Sequence, residues 1–354
     1  MEQATALPGR RQRLAHACQK AGLLPALSGL RALLRRDLRI LAYHRVLDEA
    51  GLRDFGFDPE LVSATAADFA WQMRVVAERM SPVRFRDVVA HLEGRRSLPE
   101  RAVLVTFDDG YDDNYHVAFP VLREFGVPAT FFVSTGHIDS GAPYAYDWLV
   151  HMVRTAPAGP VAVPELDDAV EVPESMDARL ELARALLDRI KARPAAAQAA
   201  VIAALANAWG MPPRMHPQCR PMTWDQIREM DAAGMEIGSH GVDHHMLAKL
   251  PREHMERELQ VSARRLHAEL GRPAPALAYP VGGPDAYDDA VIEAARKAGY
   301  QVACSYVAGT SPLDGRSRYA LRRIPVERSV DRRWFEAMLA LPELFLHPTV
   351  HARG

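Results

Sequence analysis

The chain has 354 residues, 48% of them hydrophobic and 25% charged, proportions of an ordinary globular protein that exclude a disordered or fibrous one. Lys plus Arg number 43 and Asp plus Glu 45, so the net charge of −2 supplies no overall field to recruit nucleic acid. Three widely spaced cysteines, Cys18, Cys219 and Cys304, give neither a disulfide framework nor a metal-knuckle spacing.

The charge is unevenly spread: residues 1–40 carry eight basic side chains against Glu2 and Asp37. Leu14, Ala17, Ala21 and Leu24 fall near helical spacing, Pro25 interrupts, and Leu27, Leu30 and Leu34 resume it. The spacing predicts two short amphipathic helices, which either lie on an anionic membrane surface or pack on their own domain with a solvated arginine face. A transit peptide has a similar composition. The sequence holds neither a run of about 18 apolar residues nor an apolar core followed by a cleavage site, so the reading is a cytoplasmic protein, with residues 1–36 available for peripheral membrane contact.

Arg39 to Tyr43 reads as a short buried strand and Asp68 to Met80 as a helix with Thr65 as its cap. Ala102 to Phe107 is a continuous apolar run rich in β-branched residues, ending in Asp108-Asp109-Gly110. That is the pattern of a buried parallel strand with polar residues at its C-terminal end. A helix is predicted over Tyr115 to Phe125, ended by Gly126, and a strand over Pro128 to Ser134. Residues 152–208 contain no Phe, Trp or Tyr and many alanines, so they have little to offer a β-core; Asp177 to Lys191 and Ala195 to Ala208 read as an inserted helical pair. The alternation resumes with helix Trp224 to Ala233, strand Met235 to Gly238, helix Arg252 to Leu270, strand Ala276 to Tyr279, helix Asp288 to Lys297 and strand Gln301 to Ser305. Such a succession implies an α/β fold with parallel pairing through right-handed crossovers.

Asp108 and Asp109 stand where a buried strand ends, the rim on which α/β barrels assemble active sites. Two carboxylates so close repel unless a cation neutralises one or one keeps its proton. Alone, an Asp-Gly pair is a common surface turn. A second constellation, Gly238-Ser239-His240-Gly241-Val242-Asp243-His244-His245, directly follows another predicted strand. His240 and His244 are four apart, so one turn of helix or a tight loop aims both imidazoles at one point. One carboxylate and two histidines leave open positions on a divalent ion, where the pKa of a water falls toward ~7. Zinc suits these ligands, with cobalt, nickel, manganese and iron open alternatives. The second aspartate is then free to act as a base.

Three segments, TFDDGYDDN at 106–114, SHGVDHHML at 239–247 and AYPVGG at 278–283, resemble the leading motifs of the polysaccharide deacetylase family, metal-dependent N-deacetylases related to chitooligosaccharide deacetylases. The resemblance runs from about residue 38 to 330, interrupted by the helical insertion. It implies a distorted (β/α) barrel in which Asp108 is the general base and Asp109, His240 and His244 hold the metal. The substrate it implies is an N-acetylated hexosamine in a polysaccharide, oligosaccharide or lipid-linked sugar, cleaved to acetate and a free amine. Tyr279, Pro280 and Val281 fall at the substrate, where a backbone amide near Pro280-Val281 stabilises the oxyanion.

The departures from the family pattern are informative. The arginine that many members carry two residues before the proline of the third motif, where it tethers the base, is Ala278 here; Arg323 and Arg45 are the candidates to replace it. Proline is common where His245 stands. The late-motif histidine that serves as general acid has no counterpart around 319–330. Instead, Leu41-Ala42-Tyr43-His44-Arg45-Val46 resembles the opening strand of a permuted subgroup related to poly-N-acetylglucosamine deacetylases, which makes His44 the candidate acid for the leaving amine. The structural alternative for His44 is a buried histidine bonded to backbone. Tyr111 and Trp148 join Tyr279 as rings that could stack on a sugar.

The predicted organisation is therefore basic amphipathic helices at 1–37, a deacetylase-like barrel at 38–330 with an insertion at about 152–217, and a C-terminal helix and tail at 331–354. Competing functions for the same residues are an O-acetyl esterase, a cyclic amidase, a mononuclear iron oxygenase and a non-catalytic glycan-binding barrel.

Overall fold

A computed structural model describes residues 10–35, 37–166, 169–313 and 315–346. Residues 1–9 of the basic segment and the predicted tail beyond 346 lie outside the described residues. Among the described residues, seven parallel strands close into a barrel in strict chain order: β1 (Asp37–Tyr43), β2 (Ala102–Phe107), β3 (Ala129–Val133), β4 (Glu236–Ser239), β5 (Ala276–Ala278), β6 (Val302–Ala308) and β7 (Leu321–Pro325). The last pairs with the first, Leu41 opposite Ile324, which removes both sheet edges. Six of these strands lie on segments read as strands from the sequence. β7 does not, because Arg322 and Arg323 break its apolar pattern.

The period-two alternation of a strand sorts the side chains. In β2, Val103, Val105 and Phe107 face the surrounding helices, whereas Leu104 packs inside the barrel with Ile40, Phe132, Ala276, Ala278 and Cys304. On the helix side, Tyr43, Phe107 and Phe131 sit at facing positions of β1, β2 and β3. Their rings stack, Phe107 on Phe131 at 4.7 Å and Tyr43 on Phe107 at 5.4 Å, with Phe69 of the Ala66–Arg79 helix against them edge-on. That helix begins where Thr65 accepts the Asp68 amide, the predicted cap. The predicted Tyr115–Phe125 helix instead opens with a wide turn at Asn114–Ala118 before Phe119–Phe125, since Pro120 has no N–H to close a regular turn.

The insertion forms its helices at Met176–Lys191 and Ala195–Ala208, and also an antiparallel hairpin, Gly159–Val161 with Val170–Val172, that its alanine-rich composition concealed. With Phe57, Trp148, Leu149 and Met152 these elements make a hydrophobic cluster of their own beside the barrel. The Arg10–Lys20 and Leu24–Leu34 helices pack on the protein itself. Ala15 and Leu24 are buried with Trp334 and Phe335 of the Arg332–Ala340 helix. Asp331 receives Gln12 at 2.7 Å and His16 at 2.8 Å, and Arg31 joins Glu343 to Asp37 at the start of β1. Pro25 lies in the first turn of the second helix, where its missing N–H costs nothing, and so starts that helix.

Gly238 of β4 has its α-carbon against the interior: a Cβ there would lie 2.5 Å from Phe132 Cδ1 and 3.1 Å from the Ala276 carbonyl oxygen. Gly238→Ala is expected to cost about 1–3 kcal/mol through overpacking, read as a lower urea midpoint. An unchanged midpoint would contradict this account of the interior.

Candidate active site

The C-terminal ends of the strands meet in one pocket of about 270 Å³. His44 follows β1, Asp108 and Asp109 follow β2, and His240 follows β4, so strand ends far apart in sequence deliver their next residues to the same mouth. Asp108 continues the inward series of Leu104 and Thr106. Asp109 should then point outward. It does not, because its backbone turns into the left-handed region at φ 73°, followed by Gly110 at φ 80°. A Cβ on Gly110 would stand 2.9 Å from Val133 Cγ1, so glycine is required there for space as well as for conformation.

His240 Nε2 lies 3.4 Å and His244 Nε2 3.2 Å from Asp109 Oδ1. The two histidines reach the same point from a loop rather than a helix, with His244 at φ 56°. His240 Nδ1 is 2.8 Å from the Ala278 carbonyl, which fixes the proton on Nδ1 and leaves Nε2 as a lone pair facing Asp109. His244 rather than His245 belongs to this cluster: His245 Nδ1 is 3.3 Å from Glu258, whose carboxylate also accepts the Val242 and Asp243 amides and so holds the loop.

The donor set fits a divalent metal. Asp109 Oδ1 is buried and has no hydrogen-bond partner, and the three ligand atoms lie within 4.8 Å of one another. Tetrahedral bonds of about 2.1 Å place ligand atoms about 3.4 Å apart, in line with the observed separations. Two imidazoles and one carboxylate leave a coordination position open, the arrangement of a catalytic rather than a structural ion.

Asp108 is answered differently. Arg323 of β7, fully buried, donates from Nη1 to Oδ1 and from Nη2 to Oδ2, both at 2.7 Å, and its Nε donates to the Ser305 carbonyl at 2.8 Å. Burial pushes the Asp108 carboxyl up, but the charge and hydrogen bonds of Arg323, with His240, outweigh it and hold the group below the usual carboxylate range. Arg45 serves elsewhere, donating to Asp113 at 2.7 and 2.9 Å between the Phe55 and Tyr111 rings. His44 presents its ring to the pocket with Nε2 4.0 Å from Asp108 Oδ2. Its amide is bonded to Ser63 Oγ and its carbonyl to Asn114 Nδ2, and the ring itself packs edge-on against Tyr306.

Val281 lines the pocket at φ 63°. Tyr279 does not, which corrects its expected place at the substrate. It has the parity of Leu277, the helix-facing side of β5, where it stacks on Tyr287 and donates to the Tyr319 carbonyl at 2.9 Å. Pro280 is buried between these two and joins them. Trp148 is likewise enclosed in the insertion, donating to the Met211 carbonyl. Sequence reasoning missed Tyr144, whose hydroxyl donates to the Asp109 carbonyl, and the wall formed by Asp58, Tyr146, Asp147 and Lys191. No motif marks these residues; they come from separate segments, the loop at Asp58, the Ala145–Thr155 helix and the end of the Met176–Lys191 helix, that meet only in the folded chain.

Arg323→Met leaves a buried carboxylate unpaired and is expected to cost about 3–5 kcal/mol at neutral pH. In the unsubstituted protein the lowered Asp108 pKa contributes stability above the unfolded-chain value that is lost as pH falls through the lower folded value. In the variant, burial alone raises that pKa, so the deficit shrinks on acidification. Urea titrations at several pH values check this; a deficit independent of pH would contradict it.

Residues 95–303 match the family model described as polysaccharide deacetylase. The Bacillus subtilis protein YxkH, named for a polysaccharide deacetylase, is 24% identical over 243 residues, 68% of this chain and 57% of its own length. The poly-β-1,6-N-acetyl-D-glucosamine N-deacetylase of Escherichia coli K12 is 36% identical over 102 residues, 29% of this chain and 14% of its own. The chain thus spans less than two thirds of either relative. Among solved structures, the Streptococcus pyogenes deacetylase PplD in complex with acetate superposes with a TM-score of 0.56 at 18% identity, covering 89% of this chain and all of that one. IcaB from Ammonifex degensii gives 0.53 at 20% identity, covering 86% and 97%. These superpositions confirm the barrel fold. From the closed barrel, the carboxylates and histidines at its mouth and the family match over more than half its length, the chain belongs to the polysaccharide deacetylase family.

Proposed function

We propose that the protein is a metal-dependent hydrolase that removes the N-acetyl group from an N-acetylated hexosamine in a glycan. One observation carries this reading: Asp109, His240 and His244 converge on a buried, unpartnered carboxylate oxygen directly beside a second carboxylate clamped by an arginine. A divalent ion held there, zinc by the fit of two imidazoles and a carboxylate, with cobalt, nickel, manganese or iron as alternatives, would supply Lewis acidity toward water and the acetamide oxygen.

The chain's own groups supply the proton transfers. Asp108, kept ionised by Arg323, accepts the proton of the attacking water. His44, whose Nε2 lies 4.0 Å from Asp108 Oδ2, delivers a proton to the departing amine, so acetate and a free amine leave. The backbone amide at Val281 is the candidate donor to the oxyanion, with Pro280 restricting the approach of the chain. Support for an amide substrate comes from the relative named as a poly-β-1,6-N-acetyl-D-glucosamine N-deacetylase.

Among the described residues, no helix is long and apolar enough to cross a membrane. Peripheral contact at a cytoplasmic membrane face is part of the proposal. Leu14, Leu23, Leu30 and Leu34 are 51, 49, 55 and 75% exposed, among exposed Arg10, Arg13, Lys20 and Arg35. Arg31 ties this region to Asp37, the end of β1 remote from the pocket and ~20 Å along the strand. Contact there leaves the pocket facing away from the lipid, which favours an extended glycan over a short lipid-linked sugar.

Turnover, metal content, acetate release and vesicle binding test these readings. Asp108→Asn is expected to retain the metal and lose about 10²–10⁴ in turnover of N-acetylglucosamine oligomers, whereas Asp109→Asn loses the metal as well. His44→Ala cuts turnover at unchanged metal content; unchanged turnover would remove it from the mechanism. Acetate released from O-acetylated but not N-acetylated sugars would replace the amidase with an esterase. For the membrane, the triple variant Leu23→Ser, Leu30→Ser, Leu34→Ser should abolish co-sedimentation with phosphatidylglycerol vesicles. A protein that never co-sediments ends the idea.

A further inference from the structure

The strand ends supply one wall of the pocket, the Ala145–Thr155 helix and the insertion's Met176–Lys191 helix supply the other, and the chemistry of the second wall is unused by the hydrolysis itself. Lys191 is the last residue of the Met176–Lys191 helix, where the carbonyl end favours a cation. Its ammonium lies 5.1 Å from the centroid of the Tyr146 ring. Among the described residues it feels the charges of Asp58, Asp188 and Asp147 but forms no ion pair or hydrogen bond with them. The ring beneath it is fixed: the Tyr146 hydroxyl donates to Gln198 Oε1 at 2.5 Å, and the buried Gln198 donates to the Arg193 carbonyl at 2.8 Å. That same ring is 6.3 Å from the ring of the metal-site residue His244.

Beside it, Asp147 is 5% exposed and lines the pocket. The Tyr111 hydroxyl at 2.6 Å and the Cys219 thiol at 3.3 Å both donate to its Oδ2, so Oδ1 is the oxygen left for the pocket. A donor with three N–H bonds and an acceptor with a free lone pair therefore share one wall, next to the reacting centre. Asp58 faces the ammonium charge and Glu60 and Glu327 stand at the rim, while burial pushes the Asp147 carboxyl up to about 7, so the wall suits a neutral ligand better than an anion.

We propose that Lys191 and Asp147 form a sugar-hydroxyl subsite that selects a neutral N-acetylated glycan, Lys191 donating to and Asp147 accepting from hydroxyls of the sugar held beside His240 and His244. The subsite rests on the deacetylase reading of the same pocket and would make the Ala145–Thr155 helix, with the insertion helix docked on it, the specificity element of the enzyme.

The test uses the full-length, metal-loaded protein with β-1,4- and β-1,6-linked N-acetylglucosamine oligomers. Lys191→Met is expected to raise KM roughly tenfold or more, the worth of a hydrogen bond to a charged group, with kcat and metal content little changed. Lys191→Arg should recover part of the loss. Uronate-bearing oligomers should bind the unsubstituted protein more weakly than neutral ones. If Lys191→Met does not fold, the same comparison is made with Lys191→Gln. An unchanged KM, a loss confined to kcat, or a preference for the uronate oligomers overturns the subsite. The two readings fail separately. Oligomers that bind by calorimetry in a Lys191-dependent way without releasing acetate would defeat the deacetylase and keep the subsite, while acetate release indifferent to Lys191 would do the reverse.

Discussion

Two neighbouring buried carboxylates at the mouth of a closed barrel are stable only if each negative charge is answered separately, and the rest of the molecule is arranged around that requirement. Asp108 is answered from within by a fully buried guanidinium that makes two parallel hydrogen bonds to it. Asp109 is not answered in this way: its Oδ1 faces two imidazole nitrogens at 3.2 and 3.4 Å and finds no hydrogen bond among the described residues. Burying an unpaired charge is costly, so a group left this way is an invitation to a cation. On the proposed reading, that asymmetry divides the labour, one aspartate as ligand and its neighbour as base.

The barrel makes that division by geometry. Parallel strands in chain order bring every C-terminal end to one face, and the inward parity of each strand selects which residues enter. Asp108, His240 and Arg323 all keep inward parity, so ordinary strand conformation places them. Asp109 and His244 need left-handed backbone to join them, at φ 73° and 56°. Such conformations are held against their own preference by the surrounding structure, which is where strain and function commonly meet.

Much of this was legible in the sequence, for stated reasons. The apolar run at 102–107 followed by two aspartates, and the short strand before His240, revealed both strand ends, because buried parallel strands leave a continuous hydrophobic signal. The replacement of the family arginine at Ala278 left a gap for which Arg323 was a candidate. That β7 is a strand stayed hidden because Arg323, which clamps Asp108, interrupts its apolar pattern. Tyr279 was misplaced by attending to its motif rather than to its parity. The insertion was recognised as helical, yet its role as a pocket wall was not, since docking of one element on another depends on complementary surfaces that leave no local periodicity. The N-terminal helices allowed two readings from composition alone; burial of Ala15 and Leu24 settles that they pack on the protein, while their exposed leucines keep a second surface available.

The central claim, that residues distant in sequence hold one ion beside a spare base, is tested most directly by X-ray absorption at the zinc edge on protein loaded with one equivalent of zinc. The account predicts a first shell of nitrogen and oxygen at about 2.0–2.2 Å with the multiple-scattering signature of two imidazoles, reduced to one in His244→Ala and unaltered in Asp108→Asn. A shell containing sulfur, lacking imidazole, or changed by the Asp108 substitution would contradict it.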